Sequence, residues 1–134
     1  MTPSPDERME LFTAFSRAFL SADIDALYKA VSGDFLWSYH DGMSMIRLLG
    51  DPSAIAAHFA AQKSLFSEQR FHDVAFFHLP DRTFMTCRIT EIVRDTGEKR
   101  EQCAIELYTF KDGKIATKDV YRKPAALADH ASAR

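Results

Sequence analysis

The stretch that decides the fold is AIELYTFKDGKI, residues 104–115. Its first arm is rich in β-branched and aromatic residues, and Asp112-Gly113 separates it from a second arm of the same character. An Asp-Gly pair between two such runs is among the strongest short-range signals of a β-hairpin. The stretch therefore predicts a strand over 99–110, a turn at Asp112-Gly113, and a returning strand over 114–122 that Pro124 stops.

Three further strands are predicted upstream of this hairpin. Residues 71–79 form one and end at Pro80-Asp81, and residues 83–94 form the next and end at a glycine turn. An earlier strand covers 35–40 and is followed by a turn at Asp41-Gly42. Residues 43–50 fit either a short strand or a loop at the mouth of a pocket.

The remaining N-terminal half predicts three helices. Pro5 opens the first, which carries an aromatic stripe at helical spacing. Asp23 caps a short second helix that Gly33 ends, and Asp51-Pro52 opens the third. Four residues are predicted to trace the buried face of the third helix: Ile55, Phe59, Gln62 and Phe66. Because helices and strands are segregated along the chain, we expect an α+β fold, with three helices in the N-terminal half packed on a curved antiparallel sheet.

Composition narrows the class of protein. The 134 residues suit one domain, with an ordered core over 5–123 and a frayed, alanine-rich tail over 125–134. The net charge of −2 argues against nucleic-acid binding. We find no run of about 20 apolar residues and no signal segment, so we expect no membrane association and a cytoplasmic location. Cys87 and Cys103 stand apart and predict reduced, buried thiols rather than a metal site.

Three stretches of this chain resemble the nuclear transport factor 2-like superfamily over roughly residues 5–123. They are ADIDAL at 22–27, the strand at 35–39 before a proline-opened helix, and the hairpin at 104–115. The superfamily includes ketosteroid isomerases and SnoaL-like polyketide cyclases. The resemblance implies that the helices close the sheet into a cone around an apolar pocket. Since this fold hosts many functions, the resemblance alone does not fix the activity.

The isomerase machinery is only partly present. An ungapped comparison from Asp23 places the isomerase tyrosine at Phe15 and its carboxylate base at Tyr39. Phenylalanine cannot donate a hydrogen bond. Glu106 alone matches, at the position of the protonated acid in the oxyanion hole. The resemblance therefore does not imply steroid isomerase activity by that mechanism.

Glu106 and Asp119 are the central candidates for chemistry. If Asp112-Gly113 is a two-residue turn, counting back along both strands places Glu106 opposite Asp119, with Tyr108 and Tyr121 nearby. Two acids in an apolar pocket hold one charge between them, so one keeps its proton near neutral pH. The protonated acid can donate to a substrate carbonyl while the other accepts a proton. The alternative is that both acids face solvent, or that Arg88 on the neighbouring strand pairs with Glu106.

Other candidates surround this pair. Tyr39, His40 and His78 are the further catalytic candidates, the two histidines as general bases. A pocket between the first and third helices and the sheet is expected, and its ligand-binding wall is predicted to be aromatic: Phe15, Phe19, Trp37, Phe59, Phe76, Tyr108 and Tyr121. A solidly packed core is the alternative for each of these residues.

Two functions follow from these candidates. One is a cofactor-independent acid–base enzyme, a cyclase, isomerase, dehydratase or hydrolase acting on a small apolar or carbonyl-containing molecule. The other is a non-catalytic module that binds a ligand or dimerises. Partner binding of the transport-factor kind has no specific residue behind it. Both faces of the last hairpin carry apolar residues, so we expect a homodimer. No metal or other cofactor is expected, because no set of ligating side chains has suitable spacing.

Overall fold

The computed structural model describes residues 2–40 and 45–124, with the backbone alone for 45–47. Within these residues the chain forms three helices, α1 (Pro5–Ser21), α2 (Ile24–Ala30) and α3 (Pro52–Leu65). It also forms six strands there: β1 (Val31–His40), β2 (Met45–Leu49), β3 (Phe66–His78), β4 (Arg82–Val93), β5 (Lys99–Lys111) and β6 (Lys114–Pro124). The α+β class is confirmed. The predicted turn at Asp41-Gly42 and the predicted tail at 125–134 lie outside the described residues.

Helix α1 begins at a capping box. Ser4 Oγ accepts a hydrogen bond from the Glu7 backbone N–H (3.2 Å), and Glu7 Oε1 accepts one from the Ser4 N–H (2.9 Å). These bonds satisfy donors that the first turn leaves free, which fixes the start of the helix. The helix ends where Ala22 takes a left-handed backbone with φ 54°. The residues it buries recur at helical spacing: Arg8, Phe12, Phe15 and Ala18.

Aspartates cap the other two helices, as the sequence predicts. The Asp23 carboxylate accepts from the Ala26 N–H (3.0 Å), and the Asp51 carboxylate accepts from the Ala54 N–H (2.8 Å). Each cap satisfies one donor of the first turn and so favours a helix start at that position. Among the described residues, no helix is long and apolar enough to cross a membrane.

Two predicted helix ends are wrong. Helix α2 ends at Ala30, before Gly33, and helix α3 ends at Leu65, before Phe66. In both places the next residue, Val31 or Phe66, takes an extended backbone with φ −115° and is buried as the first residue of a strand. Both side chains are buried as part of the sheet, so each helix ends where the next strand begins.

The six strands form a mixed sheet in the order β2-β1-β6-β5-β4-β3. Four neighbouring pairs are antiparallel, but β1 and β6 run parallel, with Trp37 beside Lys118. The sheet is therefore mixed, and it is antiparallel, as the sequence predicts, at every neighbouring pair except β1 with β6. No tight turn joins β1 to β6, since α3 and four strands separate them in the chain, and nothing forces that pair to be antiparallel.

A bulge in β6 changes the register of the last hairpin. Asp112 and Gly113 both have positive φ (52° and 77°), which is the backbone of a two-residue hairpin turn. Phe110 pairs with Ile115, as predicted, but the next pair joins Thr109 to Thr117 and leaves Ala116 as an extra residue. From there onward, each β6 side chain shares a face with the β5 residues that the predicted register placed on the opposite face.

The sheet has an inner face that the helices cover and an outer face that they leave open. Strand β4 alternates strictly between buried inner positions, such as Met85 and Ile89, and partly exposed outer positions. The core packs α1 and α3 against the inner face through side chains such as Phe15, Ile55 and Trp37. The face on which a strand side chain lies therefore decides whether the helices cover it.

Candidate functional site

A cavity of about 460 Å³ lies between α1 and the inner face of the sheet. Seven residues that the sequence predicts for the site border it: Phe15, Phe19, Trp37, Tyr39, Phe76, Glu106 and Tyr108. The wall includes further apolar residues, among them Phe12, Phe71, Val74 and Met85. A cavity of this size with a mainly apolar wall and a few polar groups is typical of small-molecule sites.

Glu106, Tyr108 and Lys118 form a buried cluster in the cavity wall. Glu106 and Tyr108 are two residues apart on β5 and so share its inner face, where only 2% and 4% of their surfaces are exposed. The Tyr108 hydroxyl donates a hydrogen bond to Glu106 Oε1. Lys118 pairs with Tyr108 across the strands, and its Nζ lies 3.5 Å from the same oxygen. The carboxylate thus has a donor and a cation beside it.

Burial shifts the pKa of two groups in this cluster, Tyr108 and Lys118. Burial raises the pKa of the Tyr108 hydroxyl well above its ordinary value, and the Glu106 charge adds to that rise. Tyr108 is therefore a neutral donor at physiological pH. Burial lowers the pKa of the Lys118 ammonium and Arg122 lowers it further, although the Glu106 charge opposes both.

Aromatic rings surround the Lys118 ammonium. Its Nζ lies 4.4 Å from the ring centroid of Phe15, 4.4 Å from that of Trp37 and 5.9 Å from that of Tyr108. The faces of aromatic rings attract a cation, so the rings replace part of the hydration that burial removes. Sequence reasoning missed Lys118, because the predicted hairpin register placed it on the other face of β6.

A second charged group, Arg122, borders the cavity from β6. Its guanidinium lies 5.4 Å from the Tyr39 ring, and its Nη1 is 3.7 Å from Glu91 Oε2. Gln69 Nε2 also donates to that Glu91 oxygen (2.6 Å). Among the described residues, two buried donors at the cavity have no hydrogen-bond partner: Trp37 Nε1 and Arg122 Nε. A ligand oxygen is one group that satisfies such donors.

Tyr39 and His58 join the cavity wall to helix α3. The Tyr39 hydroxyl lies 3.0 Å from His58 Nε2, and the His58 side chain is buried against Trp37 with ring centroids 5.0 Å apart. Helix α3 itself does not border the cavity, contrary to prediction. Phe59 packs behind the wall, with its ring 5.2 Å from that of Phe19. Rings on α1 and β1 stand between α3 and the cavity.

The predicted pairing of Glu106 with Asp119 is wrong. Glu106 pairs with Val120 and Asp119 with Leu107, because the bulge at Ala116 shifts the register by one residue. Asp119 therefore lies on the outer face, with 25% of its side chain exposed, while Glu106 lies on the inner face. Arg88 lies on the outer face as well, so it does not pair with Glu106.

Two other predicted residues accompany Asp119 outside the cavity. Asp119 Oδ1 lies 2.7 Å from Ser38 Oγ and 3.0 Å from His40 Nε2, and Oδ2 accepts from the Tyr121 hydroxyl (2.8 Å). The His40 and Tyr121 rings stack at 5.0 Å. His40 and Tyr121 thus belong to an outer-face cluster around Asp119. His78 lies on the inner face, with Nδ1 3.0 Å from Thr83 Oγ1, but does not border the cavity.

The cysteines offer no reactive group to the cavity. Burial raises the pKa of the Cys87 thiol to about 12, so it stays protonated and poorly nucleophilic at neutral pH. Cys87 is buried as predicted, whereas Cys103 is half-buried. Within residues 2–40 and 45–124, no group of three or more histidine, cysteine, aspartate or glutamate side chains is placed to hold a metal ion.

Comparison with known proteins places this arrangement in context. The sequence profile of the SnoaL-like domain matches residues 12–118. No curated protein sequence matches the chain significantly. The solved structure of an NTF2-like protein from Burkholderia xenovorans is similar, with a TM-score of 0.76 and 20% identity over 94% of this chain and 96% of that chain.

The names of two further similar structures mention a bound compound or an activity. TerC co-crystallised with polyporic acid has a TM-score of 0.71 and 17% identity, over 92% of this chain and 95% of that chain. A putative polyketide cyclase from Xanthomonas campestris pv. campestris has a TM-score of 0.69 and 14% identity, over 87% and 90%. At this level of identity the similarity establishes the shared fold.

Proposed function

The chain belongs to the SnoaL-like domain family, within the NTF2-like superfamily that its sequence predicts, and we propose that it is a proton-transfer enzyme. Its cavity binds a small, largely apolar molecule that carries a carbonyl group. Glu106 moves a proton to or from the carbon beside that carbonyl. The observation that carries the proposal is a nearly fully buried carboxylate at the wall of an aromatic cavity.

The neighbours of Glu106 suit this role. The Lys118 ammonium lies 3.5 Å from Glu106 Oε1 and so places a positive charge beside the carboxylate that exchanges the proton. Removal of water strengthens such electrostatic interactions inside the cavity. Tyr108, which burial holds neutral, orients the carboxylate through its hydrogen bond. The Trp37 indole N–H is a free donor at the cavity and can hydrogen-bond the ligand carbonyl oxygen.

Similar structures favour a small molecule as the ligand. The TerC structure contains polyporic acid, and another similar structure is that of a putative polyketide cyclase. The steroid isomerase mechanism is not part of the proposal, because Phe15 and Tyr39 stand where that mechanism needs a tyrosine and a carboxylate. The absence of any cofactor requirement and a cytoplasmic location stay predictions.

Solvent exchange of a ketone probe tests the proposal. Acetophenone in heavy water exchanges its methyl protons through the enol, and proton NMR follows the rate. We expect the unmodified chain to accelerate exchange and Glu106→Gln to lower that rate by about a hundredfold, the usual size of a general-base contribution. The fluorescence of Trp37, the one tryptophan, reports whether acetophenone still binds.

The matched control is Asp119→Asn, which removes a carboxylate from the outer face. We expect it to leave exchange unchanged. Equal rates in Glu106→Gln and the unmodified chain, with acetophenone bound in both, would remove Glu106 from the mechanism. Binding without any acceleration would instead favour the second function, a non-catalytic ligand-binding module, for which a carboxylate already paired with Tyr108 and Lys118 is equally suitable.

We also propose that the outer face of the sheet forms a homodimer. Ile105 and Tyr121 are cross-strand neighbours on this face. The face carries several exposed apolar residues: Leu36 (37% exposed), Leu48 (54%), Phe77 (54%), Ile105 (49%) and Tyr121 (45%). A solvated sheet face is normally polar, and a continuous exposed apolar surface usually marks an interface. Light scattering that gives a monomer mass at micromolar concentration would contradict the proposal.

A further inference from the structure

We propose that Lys118 forms a covalent imine with an aldehyde or ketone bound in the cavity. The inference rests on the proposed carbonyl-binding function and adds a covalent step to it. Lys118 borders the cavity while only 8% of its surface is exposed. The other six lysines of the chain, all within the described residues, are exposed. Lys118 is thus the one lysine that meets a bound ligand away from bulk water.

The surroundings of Lys118 favour the uncharged amine that imine formation needs. Burial and the nearby Arg122 lower the pKa of its ammonium. Desolvation in an apolar pocket and a neighbouring cation are the two ways in which proteins activate a nucleophilic lysine. Glu106 Oε1, 3.5 Å from Nζ, is placed to take the proton that the ammonium gives up.

The covalent sequence balances with the groups present. The Lys118 ammonium gives one proton to the Glu106 carboxylate, and the amine attacks the carbonyl carbon, forming a C–N bond. The carbonyl oxygen takes a second proton from that nitrogen, giving a neutral carbinolamine. The nitrogen lone pair then expels the oxygen as the C–O bond breaks. The leaving oxygen takes the Glu106 proton and departs as water, leaving a protonated imine beside an ionised Glu106.

The cavity also suits the product. A protonated imine keeps the positive charge where the ammonium stood, between the Phe15 and Trp37 rings and beside Glu106. The cation–π contacts and the ion pair that hold the free ammonium therefore also hold the adduct. The aromatic wall favours an aromatic or apolar substituent on the carbonyl compound.

Reductive trapping tests the inference on the unmodified chain. The probe is benzaldehyde with sodium cyanoborohydride at neutral pH, which converts an imine into a stable benzylamine that peptide mass spectrometry locates. We expect Lys118 to be labelled at least about tenfold faster than Lys123, because the cavity holds the aldehyde beside the Lys118 amine. Lys123 is the matched reference, because it lies exposed on the same strand.

Two variants sharpen the result. Lys118→Arg keeps a cation beside Glu106 but cannot form an imine, so we expect it to lose the fast label, whereas Lys123→Arg keeps it. Labelling of Lys118 no faster than that of Lys123 in the unmodified chain would overturn the inference.

The ketone exchange assay separates this inference from the proposed function. Glu106-dependent exchange of acetophenone without fast Lys118 labelling leaves the proton-transfer function standing and overturns the imine. Fast Lys118 labelling without acceleration of exchange by the unmodified chain supports the imine and contradicts the proton-transfer function.

Discussion

At the residue scale, the site depends on burying opposite charges together. Removing a carboxylate or an ammonium from water costs several kcal/mol, and only close pairing and hydrogen bonds offset that cost. Glu106 receives both, from Lys118 and Tyr108. Arg122 and Glu91 form a second ion pair nearby, and Gln69 donates a hydrogen bond to Glu91. Such pairs add little net stability, so their presence in a cavity wall is better explained by a role in binding or chemistry.

The sequence predicts part of this arrangement for a clear reason. Glu106 and Tyr108 lie close to the Asp-Gly turn on a regular strand, and their shared face follows from alternation. Lys118 was missed because the bulge at Ala116 reverses alternation beyond it. The sequence carries one signal of the bulge: Ile115 and Val120 are both apolar although they are five positions apart, and the structure buries both. A regular strand cannot bury both on one face.

The ionisation of Tyr108 predicts how stability responds to alkaline pH. Unfolded tyrosine loses its proton near pH 10, whereas the folded pKa of Tyr108 lies well above that value. Above about pH 10 the folded state therefore holds a proton that the unfolded state has lost, and stability falls as pH rises. We expect Tyr108 to contribute a loss of up to about 1.4 kcal/mol per pH unit there.

Thermal unfolding between pH 9 and 11 measures this loss. The variant Tyr108→Phe should be less stable at neutral pH, because Glu106 loses a donor, but its stability should fall less steeply at high pH. Tyr121→Phe, which removes the hydroxyl of a tyrosine that is 45% exposed, should change the slope less. Parallel curves for Tyr108→Phe and the unmodified chain would contradict the assignment.

At the element scale, hydrogen bonds from Arg8 connect helix α1 to the turn between β3 and β4. Only 3% of the surface of Arg8 is exposed. The guanidinium donates to the backbone oxygens of Leu79 (2.6 Å), Pro80 (2.9 Å) and Arg82 (3.1 Å) and to Thr83 Oγ1 (3.2 Å). Sequence reasoning could not find this role, because an arginine on an amphipathic helix normally faces water. The fork of guanidinium donors is what lets one side chain serve a whole turn.

We expect Arg8→Met to lower the free energy of unfolding by about 3 kcal/mol, because several carbonyl oxygens lose a charged donor at once. Arg8→Lys should recover only a minor part, since one ammonium cannot reach acceptors arranged for a planar fork. Urea unfolding followed by Trp37 fluorescence gives both values. Arg17→Met, on an exposed part of the same helix, is the control and should change stability by less than about 0.5 kcal/mol. Full rescue by lysine would show that charge alone holds the helix.

At the scale of the whole molecule, the two faces of the sheet separate two tasks. The inner face carries the cavity and the buried charges, and the outer face carries exposed apolar residues around the Asp119 cluster. The helical signals, the hairpin turn and the family resemblance were enough to predict the α+β fold. The face that a β6 side chain takes depended on one bulge beside the hairpin turn, and the place of β1 depended on its parallel pairing with β6, a contact distant in the sequence.

This separation predicts that dimerisation can be removed without removing the cavity. Ile105 lies near the middle of the outer face, between Thr86 and Tyr121, with 49% of its surface exposed in the single chain. In the proposed dimer, Ile105→Glu places a carboxylate in an apolar interface without a partner, which costs several kcal/mol per interface. Because the substituted side chain stays in water in the monomer, folding should be little affected. Light scattering should show the unmodified chain as a dimer and Ile105→Glu as a monomer at the same concentration.

Acetophenone should still change Trp37 fluorescence in that monomer, because Trp37 belongs to the inner face. A control substitution to glutamate at Leu20, exposed at the end of α1 and away from the outer face, should leave the dimer intact. A variant Ile105→Glu that remains dimeric would place the interface elsewhere, and one that becomes monomeric but loses the fluorescence response would show that the two faces are coupled.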